Sequence, residues 1–530
     1  MLSYRMASHR PWSAGAAALL GLLVWTTPVV AQDMDLYGPA PQNAGRGGTM
    51  TVGSIVEPPG LDPFHQGADA RIQVSVLMYQ GLMYEDPSGT AKPLLAESYS
   101  MDPDGLKYTF KLRQGVTFHN GKPMTAADVK YSYDYIRDPK NGSPGAGDFQ
   151  VIKEITAVDD HTVEIHLSTP NAALPMTVTN KYGGVIPKDY FVAQNAGATM
   201  NQRSVGTGPY KLKAFQPNSL LALERHAGYW QKDRPYLDGV TFLFMPNSAS
   251  MLVALRNKRV DMAVLGRPQD AQQLEGAEGL TVKRWPSLKQ QSLDLDLNYG
   301  PLKDVRVRQA IAAAVDKKAI MQAAVGGYGQ VLGTIPAAMQ DPWGAPLDQI
   351  AFQKPDLAKA RALLNEAGVG DAVAMDLTII NGYDWMDPAA VTLAEQLRPI
   401  GIQLNIKKQD LGVWINAFRN RIMGFTFNDW STPPDPHLLY YRHFHKQPEG
   451  ADFRNWANER ASQFLDQGMR EADIAKRQAA YVEFQKVVAE DVPTIMIFGA
   501  DLVTVSSDKV KGYTQHPSGW YFGLVNAHVK

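Results

Sequence analysis

Apolar and polar side chains alternate from Tyr108 to Arg113. Tyr108, Phe110 and Leu112 fall on one side; Thr109, Lys111 and Arg113 fall on the other. A period of two marks a strand with one buried face. Gly115 interrupts the pattern, Val116 and Phe118 resume it, and Asn120-Gly121 supplies a tight turn. Thr125 then stands as an N-cap three residues before Asp128, where a helix begins. Residues 161–168 repeat the alternation after an Asp159-Asp160 turn. Further strands are predicted over 48–56, in 204–215 after a Gly-Thr-Gly-Pro turn, and over 219–230, 239–246 and 291–298.

Elsewhere the spacing is helical. Residues 71–83 carry it through Ile72, Val76, Met78 and Tyr79. Residues 249–266 read as helix, turn and strand, the grammar of an α/β unit. The Ala-rich run 304–325, with Asp304 as N-cap, predicts the strongest helix of the chain. Helices over 356–368, 389–401 and 473–491 alternate with strands over 374–381, 402–409 and 492–499, so the second half is α/β. No period suggests repeats.

The chain has 530 residues, which implies two or three domains. Its formal net charge of −1 gives no electrostatic case for nucleic acid. Cysteine is absent, which excludes disulfides, thiolate metal sites, a cysteine nucleophile and a lipidated N-terminal cysteine. Arg5, His9 and Arg10 precede an apolar run of 13 residues, 13–25, and Val29 and Ala31 occupy the −3 and −1 positions of a cleavage site. The run falls short of the roughly 20 residues that span a bilayer. Residues 1–31 therefore read as a secretory signal peptide, and the mature chain as a soluble protein outside the cytoplasm.

Catalytic signatures are missing. There is no Gly-x-x-x-x-Gly-Lys phosphate loop, no Gly-x-Ser-x-Gly elbow and no His-Glu-x-x-His. His437, His443 and His445 lie close together, but the latter two share a face only on a strand, and an aromatic–basic loop accounts for them. The run around Trp430 combines aromatics with Asn428, Asp429 and Asp435, broken by Pro433, Pro434 and Pro436. Aromatic faces with a few fixed polar groups suit a small-molecule cleft. Residues 381–387, with Trp385, form a second aromatic loop. A secreted hydrolase would use paired carboxylates such as Asp294 and Asp296, which share a face of a strand, but a solvated strand edge also accounts for them.

The run "DGLKYTFKLRQGVTFHNGKPMTAADVKYSY", with "GLDPF", "VGTGPYKL", "RNKRVDMAVL" and "DVRVRQAIAAAVDKKAI", resembles the peptide/nickel/oligopeptide-binding family of extracytoplasmic solute-binding proteins of ABC importers, solute-binding protein family 5. "DLAKARALLNEAG" and "RQAAYVEFQKVVAEDVPTI" extend the resemblance across the mature chain. It implies an α/β, two-lobed periplasmic-binding-protein fold with a hinge and an additional inserted domain. Lobe I would comprise 32–77, 201–291 and 496–530, the inserted domain II 78–200, and lobe III 292–495, with crossings near 293–298 and 494–499. Tyr108–Val129 would then be scaffold. The resemblance also implies capture of a peptide or similar solute between the lobes and delivery to a membrane permease driven by ATPase subunits. It calls for no catalytic residue, metal or cofactor, and for a periplasmic monomer without a lipid anchor. Trp430, Asn428 and Asp429 would form one cleft wall, faced by Glu57, Phe64 and Tyr79, with Thr207, Asn298, Trp385 and Asp435 as further candidates. One departure matters. The family's aspartate three residues after the tryptophan, which pairs with a peptide's amino terminus, is Pro433 here. Asp429 or Asp435 is left to replace it, and a non-peptide solute (opine, oligosaccharide, aromatic acid or metal chelate) stays open.

Overall fold

Three sheets hold most of the strands. In the computed structural model the described residues are 29–30, 44–64, 69–179, 181–193, 203–370, 372–420, 422–431, 435–446 and 456–530. The signal-peptide residues 1–28, the expected cleavage site and Pro433-Pro434 lie outside them. Val29–Val30 is described, paired antiparallel with Ser98 and Tyr99.

The first sheet runs, in spatial order, Leu280–Trp285, Leu502–Ser507, Met262–Val264, Thr49–Ser54, Gly239–Phe244, Leu220–Arg225 and Tyr210–Gln216. Thr49–Ser54 lies at its centre, parallel to both neighbours. The second sheet runs Gly329–Val331, Thr494–Ala500, Lys289–Leu295, Phe425–Ser431, Val373–Ile380 and Ile402–Gln409. Val373–Ile380 is parallel to both of its neighbours. The third is antiparallel and comes from the opening pattern: Ala96–Met101, Lys107–Leu112, Thr162–Leu167 and Ile152–Asp159. Tyr108, Phe110 and Leu112 are buried in it, as their alternation requires. Asp128 reaches back to accept from the Thr125 N–H at 2.9 Å, starting the helix Ala126–Arg137. The third sheet shares one apolar core with part of the first, while the second has its own.

The chain passes between the first and second sheets at residues 286–288 and again at Asp501. Both passages fall outside the expected crossings, because Lys289–Leu295 and Thr494–Ala500 already pair with each other inside the second sheet.

Three local predictions differ from the structure. The long 304–325 helix is two helices, Val305–Ala314 and Lys317–Val325. Asp316 breaks it by capping the second, accepting from the Ala319 N–H at 3.0 Å. The 71–83 helix stops at Ser75, and the carbonyls of Leu77 and Met78 accept instead from Tyr210 and Gly208. Those are the strand and turn of the Gly-Thr-Gly-Pro segment. Third, the described part of the Trp430 region is strand and helix rather than loop. Asn428, Asp429 and Trp430 sit on the strand Phe425–Ser431. Pro436 opens the helix Pro436–Phe444, whose first turn tolerates a missing N–H.

Candidate functional site

Ligands of open α/β sheets collect at the carboxyl ends of the parallel strands. Here four such ends converge. Ile55 and Val56 follow Thr49–Ser54, Leu265 to Gln269 follow Met262–Val264, Gly382 to Trp385 follow Val373–Ile380, and Asp429 lies near the end of Phe425–Ser431. Two adjoining cavities occupy the convergence. One, of about 270 Å³, has walls from both halves: Arg267 and Gln269 from the first, Tyr383, Asp384, Trp385 and Asp429 from the second, and Lys289, Gln291 and Asp501 beside the passages. The other, of about 240 Å³, lies against the first sheet, walled by Ser54, Gln73, Ser518 and Tyr521. Leu265, Gly266, Lys289 and Leu502 border both.

Polar groups in the larger cavity are held in specific ways. Arg267 reaches across to Asp384 at 3.4 Å, an ion pair between the two halves with both side chains about half exposed. Asp501, at the second passage, accepts from Arg284 at 2.7 Å. Arg284 also donates to the Gly327 carbonyl and lies over the Tyr328 ring, tying the first sheet to the second half. The Tyr328 ring packs in the core of Leu252, Leu255 and Val503. Asp429 accepts from the Gln291 side-chain amide at 3.0 Å. Burial first, then the Asp429 charge, pushes the Tyr383 phenol up, while Lys289 pulls it down. The Gln269 carbonyl oxygen and the Trp385 indole N–H are shut off from solvent with no hydrogen-bond partner. Each is one bond short of satisfied.

The ten expected residues separate. Asp429 and Trp385 line the larger cavity. The Trp385 ring stands on Phe427 and Phe498 at 5.4 and 5.7 Å. Trp430 pairs with Gln290 in the strand, and its side chain lies outside the described residues. Asn428 is buried and donates to Asp294 at 3.0 Å, which also accepts from Thr494. Asp294 is thus a buried, hydrogen-bonded carboxylate in a central strand, not part of a solvated strand edge. Glu57 follows the cavity wall but accepts from the Asn218 N–H. Asn298 is exposed beyond the far end of its strand, where its N–H donates to Asp296.

Four others are buried and line neither of the two adjoining cavities. Phe64 is fully buried against Tyr135 and Phe191. Tyr79 is buried with its hydroxyl on Ser204. Thr207 is fully buried within the Gly206–Gly208 turn, its hydroxyl shut off from solvent with no hydrogen-bond partner. Asp435 is 4 % exposed and bound by both terminal nitrogens of Arg477 at 2.8 Å. Burial raises the Asp435 carboxyl most, but the Arg477 charge and hydrogen bonds, together with His437, outweigh it and hold the group below the usual range. Short-range pattern showed Phe64, Tyr79 and Asp435 as aromatic or acidic; it could not show that packing already uses them.

Arg267, Lys289, Gln291, Asp384 and Asp501 were missed. Their only sequence signal is position, just after or at the edge of a predicted strand. A third cavity, of about 900 Å³, lies where 144–171 faces His437, Tyr441 and Arg470, beside an Ala172 N–H bond to the Met469 carbonyl.

A cleft walled from two α/β halves whose sheets, among the described residues, exchange chain at two points defines a two-lobed binding protein. The comparisons make it specific. The family model of bacterial extracellular solute-binding proteins, family 5, matches residues 90–451, and the chain belongs to that family. The dipeptide-binding protein of Escherichia coli K12 is 26 % identical over 503 residues, 89 % of this chain and 93 % of that one. The ABC transporter substrate-binding protein CtaP of Listeria monocytogenes superposes with a TM-score of 0.83 at 26 % identity, covering 91 % of this chain and 99 % of that one. AgaA of A. tumefaciens R10, solved with agropinic acid, gives 0.76 at 25 % identity, with 91 % and 99 % covered.

Proposed function

We propose that this protein is the periplasmic capture subunit of an ABC importer, taking a peptide or similarly small charged solute between its lobes and presenting it to a permease. The observation that carries the reading is the cavity walled by both halves beside the two chain passages. A solute that touches both halves only when they close shifts the hinge equilibrium toward closure. Asp429, free of any cationic partner among the described residues and facing that cavity, takes the place of the absent family aspartate. Asp435 does not, since Arg477 occupies it. The distribution of strands supports the insert as 78–200 but moves the edges of lobe III from the expected 292–495 out to 289–500, leaving 32–77, 201–285 and 502–530 to lobe I. In this reading the leader is cleaved after Ala31, the mature monomer moves without a lipid anchor, and no bond of the solute is broken. The agropinic acid bound by AgaA supports a second reading, a non-peptide solute in the same cleft.

Native mass spectrometry of protein purified without refolding tests both, because the released mass identifies the solute. Small-angle scattering then follows the shape as that solute is removed and restored. Contraction with the solute recovered intact is the expected result. An unchanged profile, or a cleaved solute, would refute capture by closure.

A further inference from the structure

We propose that Lys289 is the anion-recognising residue of the cleft, holding a carboxylate of the solute at the hinge. The inference rests on the capture reading above. Lys289 is the one charged side chain among the four described residues that border both cavities. Lys289 pairs with Ser431 and Gln291 with Asp429 in adjacent antiparallel strands. Lys289 and Asp429 are thus diagonal neighbours on one face, a relation that sets Cα atoms about 7–8 Å apart. They still form no ion pair: Asp429 is held by the neutral Gln291 amide, and Lys289 has no carboxylate partner among the described residues. The surrounding charges are matched, Arg267 by Asp384 and Asp501 by Arg284. Lys289 is the cation left over.

That surplus has a physical consequence. A half-buried ammonium loses water as the lobes close, and the loss is unfavourable unless an anion replaces it. A carboxylate on the solute supplies the anion, so closure itself selects for it. A compact ammonium on a flexible stem accepts a carboxylate from many directions, which suits solutes of varied shape. Asp429, on the same face, is placed for a cationic group of the same solute, and the unpartnered Gln269 oxygen and Trp385 N–H supply further contacts.

The test uses the mature full-length protein and a pool of dipeptides and short dicarboxylic and aromatic acids, each as free acid and as primary amide. Equilibrium dialysis with mass detection reads retention of each form. The wild type is expected to retain free acids about tenfold to a hundredfold better than their amides, the range of a charge-assisted bond. Lys289→Gln removes that preference, and Lys289→Arg keeps most of it. A melting midpoint of Lys289→Gln within about 2 °C of wild type, as expected for a half-buried surface change, shows that the variant is folded. Undiminished preference in folded Lys289→Gln would overturn the assignment. So would a wild type with no preference, or one that retains no pool member while still contracting around its co-purified solute; this last outcome leaves the capture reading standing. Failure to contract around that solute defeats the capture reading itself.

Discussion

Asp435→Ala separates a structural carboxylate from a binding one. In the structure Asp435 does two jobs. It receives both terminal nitrogens of Arg477 at 2.8 Å, and it caps the helix Pro436–Phe444 by accepting from the His437 N–H at 2.8 Å. Arg477 is itself 5 % exposed, lying over Trp343 and Tyr481 and donating to the Gly468 carbonyl. Truncating Asp435 leaves that guanidinium buried without its counter-charge, a loss of about 3–5 kcal/mol. Removal of the cap adds about 1 kcal/mol. The aromatic faces that remain around the cation return about 1 kcal/mol. The net loss is about 4 kcal/mol. For a cooperative unit of roughly 200 residues, each kcal/mol shifts the midpoint by about 2–4 °C, so the transition should fall by roughly 8–16 °C. Differential scanning calorimetry of the solute-free protein reads it directly. A companion variant, Asp435→Leu with Arg477→Met, should recover part of the loss, because an apolar pair of similar volume needs no counter-charge. A midpoint for Asp435→Ala within about 2 °C of wild type would refute the ion-pair argument and return Asp435 to the cleft.

Two further outcomes follow from other packing features. Burial, aided by His226, holds the His119 imidazole down to about 3; burial brings His437 and His516 down to about 4. The unfolded chain takes protons near pH 6.5 that the folded chain refuses, so stability falls as pH drops from about 6.5 toward 4, each group costing about 2 kcal/mol at pH 5. Burial pushes Glu85 up to about 8, and there the sign reverses: stability falls as pH rises from about 4.5 to 8, and Glu85→Gln should abolish that alkaline loss. Melting midpoints between pH 4.5 and 8.5 read both arms; a flat profile between pH 7 and 5 contradicts the histidine argument. Gly206→Ala places a Cβ 2.2 Å from the Met78 carbonyl oxygen, and backbone cannot yield as a side chain can. It should cost at least the upper end of roughly 1–3 kcal/mol, whereas Gly115→Ala, with open space and only a positive φ to strain, should cost about 1 kcal/mol. Equal urea midpoints for the two variants would contradict this.

Where patterns are local, the amino-acid order alone was sufficient. The alternation at Tyr108–Leu112 places its apolar side chains in a buried sheet face, the helix over 473–491 exists as Ile474–Asp491, and the family-like runs identify a two-lobed binding fold. These rest on side-chain periodicity and capping, which act within a few residues. Local pattern failed where a distant partner competed for the same backbone or charge. Leu77 and Met78 give their carbonyls to Gly208 and Tyr210, ending a helix that the spacing would have continued. Asp435 looked like a ligand group because Arg477 lies far along the chain. The cleft itself is the clearest case. Arg267, Lys289, Asp384 and Asp429 meet only because two sheets present their strand ends to one another across two chain passages. Whether a charge is matched or left over is decided by that three-dimensional arrangement, since Coulomb interaction depends on distance in space and on the water excluded there, neither of which is written in residue order.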